Sequence, residues 1–142
     1  MATRMVDTDV YSFLHGNNAT RKALYKPHLE SYNIAMSFIR VGEQYAGFLK
    51  KIRKGEWPES HLEKLAARLK LVAVVPYDLE ICKTYGKLTT MLKNPDGSQR
   101  VLSSNDLWIA ACAVCNSLTL VTHNRKHFCD IPGLEIISES PS

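Results

Sequence analysis

Nothing in this chain is long and apolar enough to cross a bilayer. Its longest hydrophobic stretches, residues 69–76 and 107–114, fall far short of the roughly 20 residues a spanning helix needs. The amino terminus has no basic region followed by an apolar core, so no export leader is expected. Cysteine is scarce, at four residues, and a chain without an export signal belongs in a reducing compartment where a disulfide framework is not expected. Glycine-rich phosphate loops, a dinucleotide fingerprint and a Ser-His-Asp arrangement are all absent. There is no collagen-like, repetitive or disordered composition either. The expectation is a soluble, cytoplasmic protein with no membrane partner.

What is present is an ordinary globular composition, 45% apolar and 23% charged, in 142 residues. That length suits one domain spanning residues 1–142, able to bury roughly 70% of its unfolded surface. A short apolar strand is expected at residues 4–6, running into Asp7. Helical spacing follows at residues 10–14 and 19–29, with Gly16, Asn17 and Asn18 as the break. After a strand at residues 32–36, Ser37 is a good N-cap for a long helix. There Phe38, Val41, Tyr45, Phe48 and Ile52 form the core stripe, Gly55 ends the run, and Glu43 lies off the stripe. The next helix is expected to start at Pro58 and the next strand at residues 71–75, closed by Pro76. Asp78 caps a further helix, and Asn94, Pro95, Asp96 and Gly97 form a strong turn signal. A nearly all-round apolar helix from Ser103 and strands at residues 119–122 and 134–137 complete the pattern. Strands alternating with helices mean an α/β fold with a largely parallel sheet.

Three acids stand where elements begin or turn: Asp7, Glu43 and Asp106. A parallel sheet gathers strand ends and helix starts at one edge, so acids distant in sequence can meet there. Neighbouring anions disfavour one another unless a cation neutralises them, which points to Mg²⁺ or Mn²⁺. With three of fourteen acids in one pocket, the net charge of +4 leaves the rest of the surface more basic than the total implies. The charge points to a polyanionic partner, with Lys50, Lys51, Lys93 and Arg100 as candidate nucleic-acid contacts; the plainer reading of such runs is solvated helix faces.

The segments MVDTDVYSFL, SFIRVGEQYAGFL, SSNDLWIAACAV and LVTHNRKHFCDIPGLEII, in this order and spacing, resemble the four signature blocks of the PIN-domain nucleases, specifically the VapC-type toxin ribonucleases. The resemblance covers almost the whole chain. It implies a three-layer α/β/α sandwich whose central, mainly parallel sheet has about five strands. It also implies a metal-dependent endoribonuclease, the toxin of a toxin–antitoxin pair, cutting structured RNA such as transfer RNA. A cognate antitoxin and a homodimer come with it. Residue by residue, Asp7 matches the first acid, Glu43 the second, Asp106 the third and Asn124 the fourth position, with Asp9 standing where Asn is common. The neutrality of Asn124 weighs against a second tightly held metal. On this resemblance Asp7 and Asp106 ligate Mg²⁺ or Mn²⁺ directly, Glu43 binds the metal through water or orients the nucleophile, Asn124 positions a metal-bound water or phosphate oxygen, and Asp9 and Thr122 support the pocket.

Plainer readings compete with each residue. Ser103 and Asp106 match a capping box, Glu43 fits a solvated helix position, Thr8 or Asp9 fits a helix cap, and Asn124 fits a turn. Cys112 and Cys115, followed by His123 and His127, suggest zinc, but only seven residues separate the second Cys from the first His, and buried thiols explain the cysteines more simply. Two non-nuclease alternatives stand beside the enzyme: a vestigial domain that only binds partners, and a phosphoacceptor signalling module built on Asp78.

Overall fold

The computed structural model describes residues 1–141. In chain order the elements are β1 (Thr3–Val6), α1 (Thr8–His15), α2 (Ala19–Leu29), β2 (Asn33–Ser37), α3 (Phe38–Arg53), α4 (Ser60–Leu69), β3 (Ala73–Val75), α5 (Leu79–Met91), α6 (Ser104–Cys115), β4 (Leu120–Val121), α7 (Arg125–Phe128) and β5 (Ile136–Ile137). The five strands form one all-parallel sheet in the order β3-β2-β1-β4-β5. No helix among the described residues is long and apolar enough to cross a membrane.

Alternation along the short strands divides the core between the two faces of the sheet. Met5, Ala35 and Leu120 face the side packed by α5 and α6, together with Ile81, Leu88, Ile109 and Cys112. Val6, Met36 and Val121 face the other side, against Val10, Tyr11, Tyr25 and Leu29 of α1 and α2. The result is a helix–sheet–helix sandwich, with strands buried on both faces as parallel strands usually are. Each fully buried large apolar side chain contributes about 1.5–3 kcal/mol. Helix α6, with Leu107, Ile109, Ala110, Ala111, Cys112 and Ala113 all buried, accordingly anchors one layer.

Local signals place most helix starts. The Ser37 hydroxyl accepts from the Ile39 N–H, the Asp78 carboxylate from that of Glu80, and the Ser103 hydroxyl from that of Asp106. Gly55, at φ 76°, lies just past the end of α3. Two expectations need correction. Helix α4 begins at Ser60, because residues 58 and 59 form a turn in which the Pro58 carbonyl accepts from the His61 N–H. On α3 only Gln44 is buried and Tyr45 is 36% exposed, because the sheet and α4 leave part of that stripe uncovered.

Parallel strands send all their carboxyl ends to one edge. From β1 the chain crosses to β2 on one side, while β4 pairs with β1 on the other, so a crevice opens outside the ends of β1 and β4. Asp7 follows β1 directly and Thr122 follows β4 directly. No loop separates β2 from α3, so the first two turns of α3 rise from the same edge.

Candidate active site

Asp7 is the N-cap of α1 and is 3% exposed. Its Oδ1 accepts from the Thr8 N–H at 3.0 Å, and its Oδ2 accepts from the Thr122 hydroxyl at 2.9 Å. The same hydroxyl accepts from the Asn124 N–H at 3.0 Å, tying the turn after β4 to the acid after β1. Thr8 and Asp9 are therefore not the cap of α1.

The centre of the cluster is Arg40, a residue to which the sequence alone assigned no role. Its Nε donates to Asp7 Oδ1 at 2.5 Å, its Nη1 to both oxygens of Glu43 at 2.9 and 3.1 Å, and its Nη2 to Asp106 Oδ1 at 2.9 Å. Its side chain is 11% exposed. Burial opposes the charged guanidinium, but Asp7, Asp106 and Glu43 outweigh that cost and raise its pKa further. Asp7, Glu43 and Asp106 thus meet, as expected, around one positive charge.

Asp106 and Glu43 both make contacts beyond those their plainer readings call for. Ser103 does cap the Asp106 N–H at 3.2 Å, yet the Asp106 carboxylate turns into the cluster. Its second oxygen lies 3.0 Å from Nδ1 of His127. Glu43 keeps a side chain 35% exposed but is held by Arg40 and by the Asn105 amide at 2.8 Å.

Asn124 provides no side-chain cap to α7; its Nδ2 lies 2.9 Å from the same Nδ1 of His127. That nitrogen cannot accept from Asn124 and donate to Asp106 at once. With Nδ1 protonated the ring donates to the Asp106 carboxylate; with Nδ1 bare it accepts from the Asn124 amide instead. Asp9 sits beside the cluster, its carboxylate accepting from the N–H groups of Val10 at 2.6 Å and His123 at 3.1 Å. Burial, reinforced by the charge of Asp7, pushes its pKa up to about 6.

Sequence reasoning missed Arg40 and Asn105 and considered His127 only for zinc. Arg40 lies one turn before Glu43 and His127 one turn after Asn124, spacings that put each pair on one helical face. Those were the signals available. The four members of the zinc pattern go elsewhere: Cys112 is buried with its Sγ 3.5 Å from the Ser37 hydroxyl, Cys115 packs against the core at the end of α6, His123 is held by Tyr25 at 2.5 Å and by Arg21, and His127 faces Asp106. All four cysteines are free thiols.

The basic residues separate into two groups. Lys93 and Arg100 line a cavity of about 810 Å³ that also takes in Lys126 and His127, so it adjoins the acid cluster through His127. The Arg100 guanidinium, however, is committed to the carbonyls of Cys129 at 2.6 Å and His127 at 2.9 Å, making it a strut of that wall. Lys50 and Lys51 are in the last turn of α3, roughly 10 Å along the axis from Glu43, and Lys51 lies over the Trp57 ring.

The donor set suits a hard divalent cation, because oxygen-only carboxylate ligands are what Mg²⁺ and Mn²⁺ prefer. Among the described residues no group of three acid, His or Cys side chains is arranged to hold a metal ion. The reason is visible: Asp7, Glu43 and Asp106 are spread around a guanidinium.

Residues 4–134 match the PIN domain family model. The chain is 30% identical over 135 residues to the Ribonuclease VapC1 of Haemophilus influenzae strain R2866, covering 92% of this chain and 93% of that one. It is 34% identical over 101 residues to the Ribonuclease VapC2 of Rickettsia felis, with 71% and 70% covered. Among solved structures, VapBC-1 from nontypeable Haemophilus influenzae superposes with a TM-score of 0.77 at 28% identity, over 96% of this chain and 97% of that one. VapBC2 from Rickettsia felis, bound to a promoter DNA fragment, gives a TM-score of 0.74 at 25% identity, over 96% and 98%. With the fold, the four sequence blocks and the family model in agreement, this chain belongs to the PIN-domain family.

Proposed function

We propose that this chain is a divalent-metal-dependent endoribonuclease, acting as one nuclease domain over residues 1–142 and serving as the toxin of a toxin–antitoxin pair. The observation that carries the reading is the convergence of Asp7, Glu43 and Asp106 on a single cationic centre at the carboxyl edge of the sheet. Relatives named as VapC ribonucleases, and solved relatives described as VapBC assemblies, support both the activity and an antitoxin partner.

In this reading Asp7 and Asp106 are the metal ligands. A bound Mg²⁺ or Mn²⁺ supplies positive charge that stabilises the pentacovalent phosphate and makes water a stronger nucleophile. The chain's own groups do the positioning. Thr122 holds the Asp7 carboxylate by one oxygen, leaving its rotamer fixed by β4 rather than by solvent. Glu43, steadied by Asn105, is placed to accept a proton from the attacking water. Asn124 and His127, one turn apart on the opposite wall, are neutral or donor groups suited to a phosphate oxygen or the leaving oxygen. Asp9 holds the backbone of His123 and so the start of that wall.

The substrate is RNA, with transfer RNA as the first candidate from the family resemblance; substrate choice depends on how a basic rim fits folded RNA and unpaired bases. Lys93 and Lys126 are the contacts nearest the cluster; Lys50 and Lys51 reach only a substrate that extends along α3. A homodimer and a cytoplasmic setting complete the proposal. The test is incubation of purified, antitoxin-free protein with total cellular RNA in Mn²⁺, Mg²⁺ or EDTA. Discrete fragments in the metal lanes and none in EDTA are expected; intact RNA in every lane, from folded protein, would contradict the reading.

A further inference from the structure

Arg40 does more than pair with Glu43. Every carboxylate oxygen of the three acids already has a partner. Asp7 Oδ1, both oxygens of Glu43 and Asp106 Oδ1 receive Arg40, Asp7 Oδ2 receives Thr122, and Asp106 Oδ2 faces His127. A divalent ion therefore has no carboxylate oxygen to bind without breaking a contact that now exists. The contacts most readily given up are those to Arg40, since it alone carries the charge that the ion would replace.

The location of Arg40 strengthens the point. It stands in the first turn of α3, where aligned backbone N–H groups make a cation unfavourable. The helix backbone disfavours a guanidinium there; the three acids, Glu43 of the same helix among them, favour it. One positive charge against three carboxylates leaves a net charge of −2 among these groups, so a divalent cation in the same place neutralises them better than the arginine does.

We propose that Arg40 is an internal cationic plug: its guanidinium and a divalent metal ion compete for the carboxylates of Asp7, Glu43 and Asp106, and loading the site requires Arg40 to withdraw. The proposal rests on the metal-dependent reading given above. Two consequences follow. The metal-free protein is held together at this edge by its own side chain, and metal affinity is weakened by the cost of expelling it.

The decisive experiment is a Mg²⁺ titration of the full ¹⁵N-labelled chain, following the arginine Nε–H resonances, with Arg40 assigned by its absence in Arg40→Met or in Arg40→Lys. Without metal, the Arg40 Nε–H should exchange slowly with water and resonate apart from the exposed arginines. At saturating Mg²⁺ it should move to the exposed-arginine position or be lost to exchange. In parallel, Mn²⁺ binding followed calorimetrically should be at least about tenfold tighter in Arg40→Met than in the natural chain, while that variant melts lower in EDTA. An Arg40 resonance unmoved when the site is saturated overturns the plug, as does unchanged or weaker Mn²⁺ binding in the variant. If Arg40→Met does not fold, the resonance in the natural chain decides alone. Failure of both proteins to bind any divalent ion overturns the plug and the metal-dependent reading together, whereas binding without movement of Arg40 overturns only the plug.

Discussion

Asp7 and Asp78 begin as equals and end as opposites. Each follows a strand of the same parallel sheet, and each caps the helix that comes next, Asp7 for α1 and Asp78 for α5. Yet Asp7 is 3% exposed and is bound by Thr122 and Arg40, while Asp78 is exposed and its carboxylate accepts only the Glu80 N–H, at 2.7 Å. The difference is position in the sheet. Strand β1 is central, flanked by β2 and β4, so elements from both sides converge on its end; β3 is an edge strand with solvent beyond it. An acid after a strand becomes a site only where neighbouring strands deliver partners, which is why the phosphoacceptor alternative built on Asp78 finds so little around it.

That contrast can be broken or sharpened by substitution. The largest expected effect is from Asp7→Asn, which should lower metal-dependent RNA cleavage at least about a hundredfold, the scale for removing one group that stabilises a transition state. The protein should remain folded, as circular dichroism will show, because Asn still accepts from the Thr8 N–H. Next comes Thr122→Val, which leaves the buried Asp7 Oδ2 without its donor. A loss of about 1–3 kcal/mol in denaturant unfolding is expected, with reduced cleavage in the same preparation.

Asp78→Ala should cost about 1 kcal/mol, the usual effect of a lost N-cap, and leave RNA cleavage unchanged. The smallest effect concerns pH. The pKa of Asp9 is pushed up to about 6 when folded, so the favourable contribution of its protonated form is complete in acid, below its unfolded value near 3.8, and is lost as pH rises through about 6. Asp9→Asn should therefore be more stable than the natural protein at pH 7.5 by about 1 kcal/mol after allowance for its partial exposure, and the advantage should vanish near pH 4. Urea unfolding in EDTA at the two pH values checks this.

Much of this arrangement was legible in the chain itself. Caps at Ser37, Asp78 and Ser103 are local devices, readable because a hydroxyl or carboxylate two or three residues before a helical N–H is a short-range fact. The three acids could be nominated from their places at element starts, and the four blocks tied them to a family. What could not be read was which strand ends are neighbours, since strand order is set by packing of whole layers. For that reason Arg40 received no role and His127 only that of a zinc candidate, although both reach Asp106 across long sequence separations, 66 residues for Arg40 and 21 for His127. The Pro58 start of α4 failed for a different reason: proline favours a first helical position but does not dictate one, and here a turn intervenes before Ser60.

The most direct test of the central claim sets the natural protein beside Asp7→Asn, Asp106→Asn and Asp78→Asn, all free of antitoxin, on total cellular RNA with Mn²⁺. Discrete fragments from the natural protein and from Asp78→Asn, and none from Asp7→Asn or Asp106→Asn, are the predicted result. Cleavage that survives in Asp7→Asn, or that disappears in Asp78→Asn while its fold is intact, would contradict the assignment of the reactive edge to the end of β1.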